Sequence, residues 1–193
     1  MGPRASTDRT RPPVTHAPNR LLDYLRARSV THAAMQTFLP YPGFAESAAV
    51  LDARRLGKQR VEALQILRGL TVPGYGWRHH PAVRMWTGYE EALVRYGLEI
   101  CRVWTATGRQ DTCALTLTED YAAHFPGTPP RTYEALASTN DLPNWLGDPA
   151  FHRSHQSALL TKDPTHYAAH FPNVPTNLPY IWPTSDRAPS REA

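Results

Sequence analysis

The sequence predicts a mainly α, compact single-domain helical fold with proline-rich loops, and three observations predict it. Apolar residues recur at spacings of three, four and seven in several stretches, the pattern of amphipathic helices. Nineteen prolines break the chain between those stretches. A length of 193 residues with 41% hydrophobic side chains suits one core with tails. No apolar run approaches the roughly 18 residues of a membrane span, and the charged N-terminus has no apolar signal segment. Cys101 and Cys113 alone make no disulfide framework. A cytoplasmic chain with reduced thiols is expected.

Residues 1–34 carry Pro3, Pro12, Pro13 and Pro18 among Arg and Thr, with no long apolar period. They read as a disordered extension, or as sequence upstream of a start codon at Met35. Met35 to Gly43 is extended and broken by proline. Phe44 to Leu51 reads as a short helix with Glu46 and Ser47 on its exposed side. A longer helix follows from Arg54, with Leu56, Ala63, Leu64, Leu67 and Leu70 as its apolar stripe, Asp52 as its cap and Gly69 near its end. Residues 71–80, Thr-Val-Pro-Gly-Tyr-Gly-Trp-Arg-His-His, form a loop. Pro81 suits a first helical position, and the longest helix is expected from there to about Thr107, burying Val83, Trp86, Leu93 and Ile100. Glu90 and Glu91 are expected to face water, with Arg95 paired to Glu91.

Asp111 to Phe125 reads as a further helix. A six-residue string, Tyr121-Ala-Ala-His-Phe-Pro126, recurs as Tyr167-Ala-Ala-His-Phe-Pro172. Two copies are too few for a solenoid, and an aromatic-proline stop to a helix explains both. Residues 126–145 are punctuated by proline, with a turn of helix near Tyr133 to Ala137. Asp148 caps a helix that begins at Pro149 and runs to Leu160. Thr161-Lys-Asp-Pro164 ends it and caps a short helix to His170. The ordered chain closes on Leu178-Pro-Tyr-Ile-Trp-Pro183, and residues 184–193 read as a disordered tail.

The charged helix is the distinctive element. Arg55, Lys58, Gln59 and Glu62 fall on a side away from the stripe. Either this is a solvated face held by i,i+4 pairs, or it holds one acid in a basic cleft that grips phosphates. Net charge is +4 and the pI is about 9.3, a mild lean toward a polyanion. Nineteen arginines accompany two lysines, Lys58 and Lys162, so lysine Schiff-base chemistry has two side chains to draw on. The 71–80 loop sets Tyr75, Trp77, Arg78 and His80 on glycine-flexible backbone. Such a loop either stacks on bases or covers the core edge. His152 and His155, and His166 and His170, stand at helical spacings, but a zinc site needs three or four ligands. No metal or other cofactor is expected. His152 and His155 are assigned to phosphate contact or turn capping. A catalytic glycine-serine elbow and a phosphate-binding glycine loop are both missing.

The order of several pieces resembles the pyrimidine-dimer DNA glycosylase family, the phage endonuclease V-like enzymes of pyrimidine-dimer excision, and more closely its actinobacterial branch. The pieces are Met35-Gln-Thr-Phe-Leu-Pro40, Leu51-Asp52 through Leu64, and His80-Pro81 with its helix. They continue with Trp145-Leu-Gly-Asp148, His152-x-Ser154-His155, Leu159-Leu160-x-Lys162-Asp-Pro164 and Tyr180-Ile-Trp-Pro183. They span residues 35–183. The resemblance implies an endonuclease V-like helical fold and places the family's catalytic carboxylate at Glu62. The family's Arg before that Glu is Val61 here, with Arg60 as the nearest substitute.

The resemblance further implies a DNA-repair glycosylase acting on lesion-bearing double-stranded DNA, with an abasic-site β-elimination step. In the family that step uses the α-amine of the mature N-terminus. Met35 would supply it if translation began there. Otherwise Glu62 activates water, or Lys58 replaces the amine. The DNA contacts expected are Arg54, Arg55, Arg60, Tyr75, Trp77, Arg78, His80, His152, His155, Lys162, Tyr180 and Trp182. A monomeric, nucleoid-associated enzyme follows. The rival reading is a non-catalytic nucleic-acid-binding protein using the same basic face, and a weaker one is a histidine-metal hydrolase.

Overall fold

Leu56, Ala63 and Leu67 are buried as the apolar stripe requires, and the helix that carries them is the centre of the molecule. The structure is a computed structural model that describes Gly2 and residues 35–190. The expectations for residues 1–34, and for the last three residues of the tail, lie outside the described residues. A compact unit begins at Met35. Its elements are α1 (Phe44–Ala49), α2 (Ala53–Thr71), α3 (Pro81–Met85), α4 (Glu90–Ala106), α5 (Cys113–His124), α6 (Tyr133–Ser138), α7 (Pro149–Lys162) and α8 (Pro164–Tyr167). There is no strand among the described residues.

The capping chemistry follows the sequence. The Asp52 carboxylate accepts from the Arg54 and Arg55 N–H groups at the start of α2. His80 caps α3 by accepting from Ala82 N–H, with Pro81 at the first position. Asp148 caps α7 in the same way, ahead of Pro149. The repeated string ends α5 and α8 alike. Tyr121 stacks on Phe125 at 4.8 Å, and Tyr167 on Phe171 at 5.9 Å, before each proline stop.

The core forms where α4 lies against α2 and α5, with α1 on α4. Gly97 permits this approach. A Cβ there would stand 2.8 Å from Leu117 Cδ1 and 3.0 Å from the Ala63 methyl.

Three expectations are corrected. The long helix from Pro81 is two helices, α3 and α4, separated by a turn at Gly88, whose φ is +74°. A Cβ at Gly88 would come within 2.5 Å of Arg187 Cβ, so residues 187–188 press on that turn. Glu90 and Glu91 do not face water freely. Glu90 is buried, accepting from Gly88 N–H and Ser190 Oγ–H. Glu91 binds Arg131 at 2.6 Å, while Arg95 pairs with Glu99. The stretch 184–190, expected as tail, makes its own contacts. Ser185 donates to Thr87 O, Tyr89 donates to Asp186, and Arg187 lies 4.4 Å over the Tyr89 ring.

The segment from Gln36 to Tyr41 is extended without a partner strand, and side chains take the place of one. Gln59 Nε2 donates to Gln36 O, Tyr180 OH to Thr37 O, Tyr96 OH to Phe38 O, Gln156 Nε2 to Pro40 O and Ser47 Oγ to Tyr41 O. Phe38 N–H donates to Gln59 Oε1, and Tyr41 N–H to Ser47 Oγ. Leu39 is held by two histidines of α7. Its N–H donates to His155 Nδ1 at 3.0 Å, and its carbonyl lies 2.8 Å from His152 Nδ1. Gly147 N–H donates to His152 Nε2. Those partners put the His152 proton on Nδ1 and the His155 proton on Nε2, both rings neutral.

Burial holds the His155 pKa down to about 3 and lowers that of His152. A histidine kept neutral by the fold contributes stability that is fully present above its unfolded pKa of about 6.5. That stability is lost as pH falls toward the folded value, because the unfolded chain takes up protons first. Urea unfolding is therefore expected to show stability declining from about pH 6.5 toward pH 3. His155→Phe is expected to flatten part of this slope while costing about 1–3 kcal/mol at mildly alkaline pH, where Leu39 N–H loses its acceptor.

Candidate active site

Glu62 follows Lys58 by four residues and Gln59 by three, so the three side chains share a helical face. That face is not the solvated surface of the simpler expectation. Gln59 is fully buried and Glu62 is 3% exposed. Lys58 stands at the edge, its side chain 50% exposed. Glu62 Oε1 accepts from Gln36 N–H at 3.3 Å and meets Lys58 Nζ at 3.1 Å, while Oε2 accepts from Gln59 Nε2. Gln59 Oε1 accepts in turn from Tyr96 OH at 2.7 Å. Burial raises the Glu62 pKa, against the opposing pull of Lys58, Gln36 N–H and Lys162. A carboxyl in that balance takes and returns a proton more readily than an exposed one.

Gln36, Phe38, Arg54, Arg55, Lys58 and Lys162 line an open cleft of about 260 Å³. Glu62 lies behind its Gln36–Lys58 wall, bonded to both. Both lysines of the chain border this cleft. Arg55 braces it, with Nη1 2.6 Å from Asp52 and 3.8 Å from Asp163, and Nη2 donating to Lys162 O at 3.0 Å. Arg54 is exposed at the rim, without an ion-pair partner among the described residues. Lys162 Nζ sits 5.8 Å from the centre of the Phe38 ring. Its pKa is lowered, first by burial and then by Arg55 and Lys58.

The other expected contacts divide. Arg60 is not among the residues that line the cleft. Its guanidinium is held by Asp111 at 2.5 Å and lies 4.1 Å over the Trp104 ring. Val61 is 44% exposed. His152 and His155 are buried on Leu39, out of reach of a phosphate. Tyr180 points its hydroxyl inward to Thr37 and stacks on His155. The 71–80 loop leaves Trp77 and Arg78 exposed and Tyr75 and His80 half-buried. A run of ring contacts leads from it to the cleft: Trp77 to His80, His80 to Trp182, Trp182 to Tyr180, and Tyr180 to Phe38. Met35 is buried and directly precedes Gln36, whose N–H reaches Glu62. Among the described residues no three His, Cys, Asp or Glu side chains gather to hold a metal. None of the helices there is long and apolar enough to cross a membrane.

Sequence reasoning missed Gln36, Phe38 and Tyr96, and it set Gln59 on the polar side, whereas Gln59 is fully buried. A signal for Gln59 was present. It stands three residues after Leu56 and four before Ala63, within the apolar stripe itself.

The model of a protein family described as pyrimidine dimer DNA glycosylase matches residues 35–117, which include Glu62, Lys58 and the 71–80 loop. No curated protein and no solved structure matches the chain.

A carboxyl whose pKa is raised on folding weakens the fold as pH climbs past its unfolded pKa of about 4.3, and the penalty persists at neutral pH. Glu62→Gln removes that charge and keeps an oxygen for Gln36 N–H. Thermal unfolding at neutral pH is expected to shift upward by a few degrees, with no such gain below about pH 4, where the wild-type carboxyl is protonated.

Proposed function

With residues 35–117 belonging to the pyrimidine dimer DNA glycosylase family, we propose that this protein is a DNA-repair glycosylase that excises a damaged pyrimidine, with Glu62 as its catalytic acid. The observation that carries the reading is a buried carboxyl of raised pKa behind a cleft walled by Arg54, Arg55, Lys58 and Lys162. Arg54, exposed at the rim, and Lys58 hold phosphates of a lesion-bearing duplex. Lys58, on a flexible four-carbon stem, exchanges Glu62 for a phosphate when DNA arrives and so opens the carboxyl to the sugar. Glu62 then stabilises the oxocarbenium-like sugar and guides the attacking group to C1′. Trp77 and Trp182 supply planar surface for a kinked or opened duplex. Strand cleavage at the resulting abasic site belongs to the same proposal.

The family match carries a thymine dimer as the first substrate to test. On a duplex with one cyclobutane thymine dimer, Glu62→Gln is expected to lower the rate of glycosidic cleavage by roughly 10²–10⁴-fold. Its affinity for the duplex, read by fluorescence anisotropy, should stay within a few-fold. Retention of full cleavage by the variant would remove Glu62 from the chemistry. Binding without cleavage by the wild type, on dimer and other lesions alike, would favour a non-catalytic DNA-binding protein. Arg54→Ala is expected to weaken binding to all sequences alike and to reduce the slope of log affinity against log salt by about 1.

A further inference from the structure

Schiff-base chemistry at an abasic sugar needs a neutral primary amine beside a base that can take a proton from C2′. In this chain Met35 is joined to Ala34, so its nitrogen is a peptide nitrogen. Two side-chain amines border the cleft, and they differ. Lys58 Nζ is 3.1 Å from Glu62 Oε1, and this ion pair occupies its nitrogen. Lys162 Nζ has no carboxylate within ion-pair distance among the described residues. It lies over the apolar Phe38 ring and faces Arg54, Arg55 and Lys58, with Glu62 behind them. Its backbone is fixed at the end of α7, where Arg55 binds the Lys162 carbonyl and is itself held by Asp52 and Asp163. A partly desolvated cation crowded by Arg54, Arg55 and Lys58 is in the environment that frees an amine's lone pair, against the pull of the Phe38 ring face.

We infer that Lys162 is the amine that attacks the abasic sugar, with Lys58 holding Glu62 until DNA binds. The inference rests on the glycosylase reading, which supplies the abasic site. The neutral Nζ adds to the C1′ aldehyde of the ring-opened sugar, and the carbonyl electron pair moves to oxygen. A proton passes from nitrogen to that oxygen, a second proton from solvent lets it leave as water, and the C1′–Nζ iminium forms. Glu62 removes a C2′ proton, and that electron pair becomes the C2′–C3′ double bond. The C3′–O bond breaks with its pair leaving on the 3′ phosphate. Water then hydrolyses the iminium, returning the lysine amine and an unsaturated aldehyde on the 5′ fragment. The lowered Lys162 pKa agrees with this role, since it enlarges the neutral fraction near neutral pH. Because that fraction grows as pH rises toward the Lys162 pKa, adduct formation is expected to rise with pH across the neutral range. Glu62 must stay ionised for the same step and is more so at higher pH.

The test uses the full chain. Wild type is incubated with a duplex carrying one abasic site, reduced with borohydride, digested and analysed by mass spectrometry. The expected product is a secondary amine at Lys162. Lys162→Arg keeps the cation but forms no iminium. It is expected to lose at least about 100-fold in trapped adduct, while anisotropy reports duplex affinity within a few-fold of wild type. A label on Lys58, on the chain's N-terminal amine or elsewhere overturns the inference, as does full trapping by Lys162→Arg. Base release from a dimer duplex is measured in parallel on the wild type. Release without any trapped adduct overturns the Lys162 role and leaves the glycosylase reading standing. Neither release nor adduct overturns both.

Discussion

An extended segment with no neighbouring strand must find partners for its backbone among side chains, and the arrangement of this molecule follows from that constraint. Each unpartnered buried N–H or carbonyl costs about 1–3 kcal/mol, so the six side chains that serve the carbonyls of residues 36–41, His152 on Leu39 among them, are fixed by necessity. They come from α1, α2, α4, α7 and the closing segment around Tyr180. The segment thus ties distant parts of the chain together. Gln59 has the central place, because its amide bridges Gln36 O and Phe38 N–H as a neighbouring strand would. The same amide nitrogen also reaches Glu62. The scaffold and the candidate site share one side chain.

That sharing explains why a carboxyl is tolerated in the interior. Glu62 has three fixed donors, from Gln36, Gln59 and Lys58. They satisfy its oxygens without cancelling the desolvation that raises its pKa. Outside it the cations fall into two kinds. Arg55 is locked between Asp52 and the end of α7, and Arg60 is locked on Asp111 and Trp104. Arg54 and Lys162 have no such partner among the described residues. The locked cations shape the cleft, and the unlocked ones are left for an anion or for chemistry. Counting basic residues on a helical wheel treats the two kinds alike.

The aromatic residues divide in a similar way. Trp86, Tyr96 and Phe44 pack together inside, at ring distances from 5.6 to 6.4 Å. Trp77 and Trp182 continue the same kind of ring-to-ring contact outward through His80. A continuous aromatic path between a flexible glycine loop and Phe38 lets the loop be positioned by the core yet end in exposed planar surface. The Gly88 turn serves the opposite end of α3. It opens the helix line so that residues 184–190 can close over it.

Local chemistry decided what the sequence alone determined. The helical class, the caps at Asp52 and Asp148, the helix start at Pro81, the twin Tyr–Phe–Pro stops, and Glu62 as the one carboxyl among cations are all set by spacing and residue type within a few positions. The resemblance across residues 35–183 and the family match over 35–117 likewise rest on linear order. Tertiary structure decided which polar groups are interior. Whether His155 meets a phosphate or Leu39 N–H depends on a partner 116 residues away. The fate of Arg60 depends on Asp111, 51 residues on. The break at Gly88 answers to Arg187, and the pairing of Glu91 to Arg131. Helical periodicity reports which face a residue takes, and it holds no information about what another segment brings to that face. The placement of Lys162 beside Lys58 and Glu62 is of this second kind. It exists because Arg55 holds the end of α7 against the start of α2, and only the fold brings those two ends together.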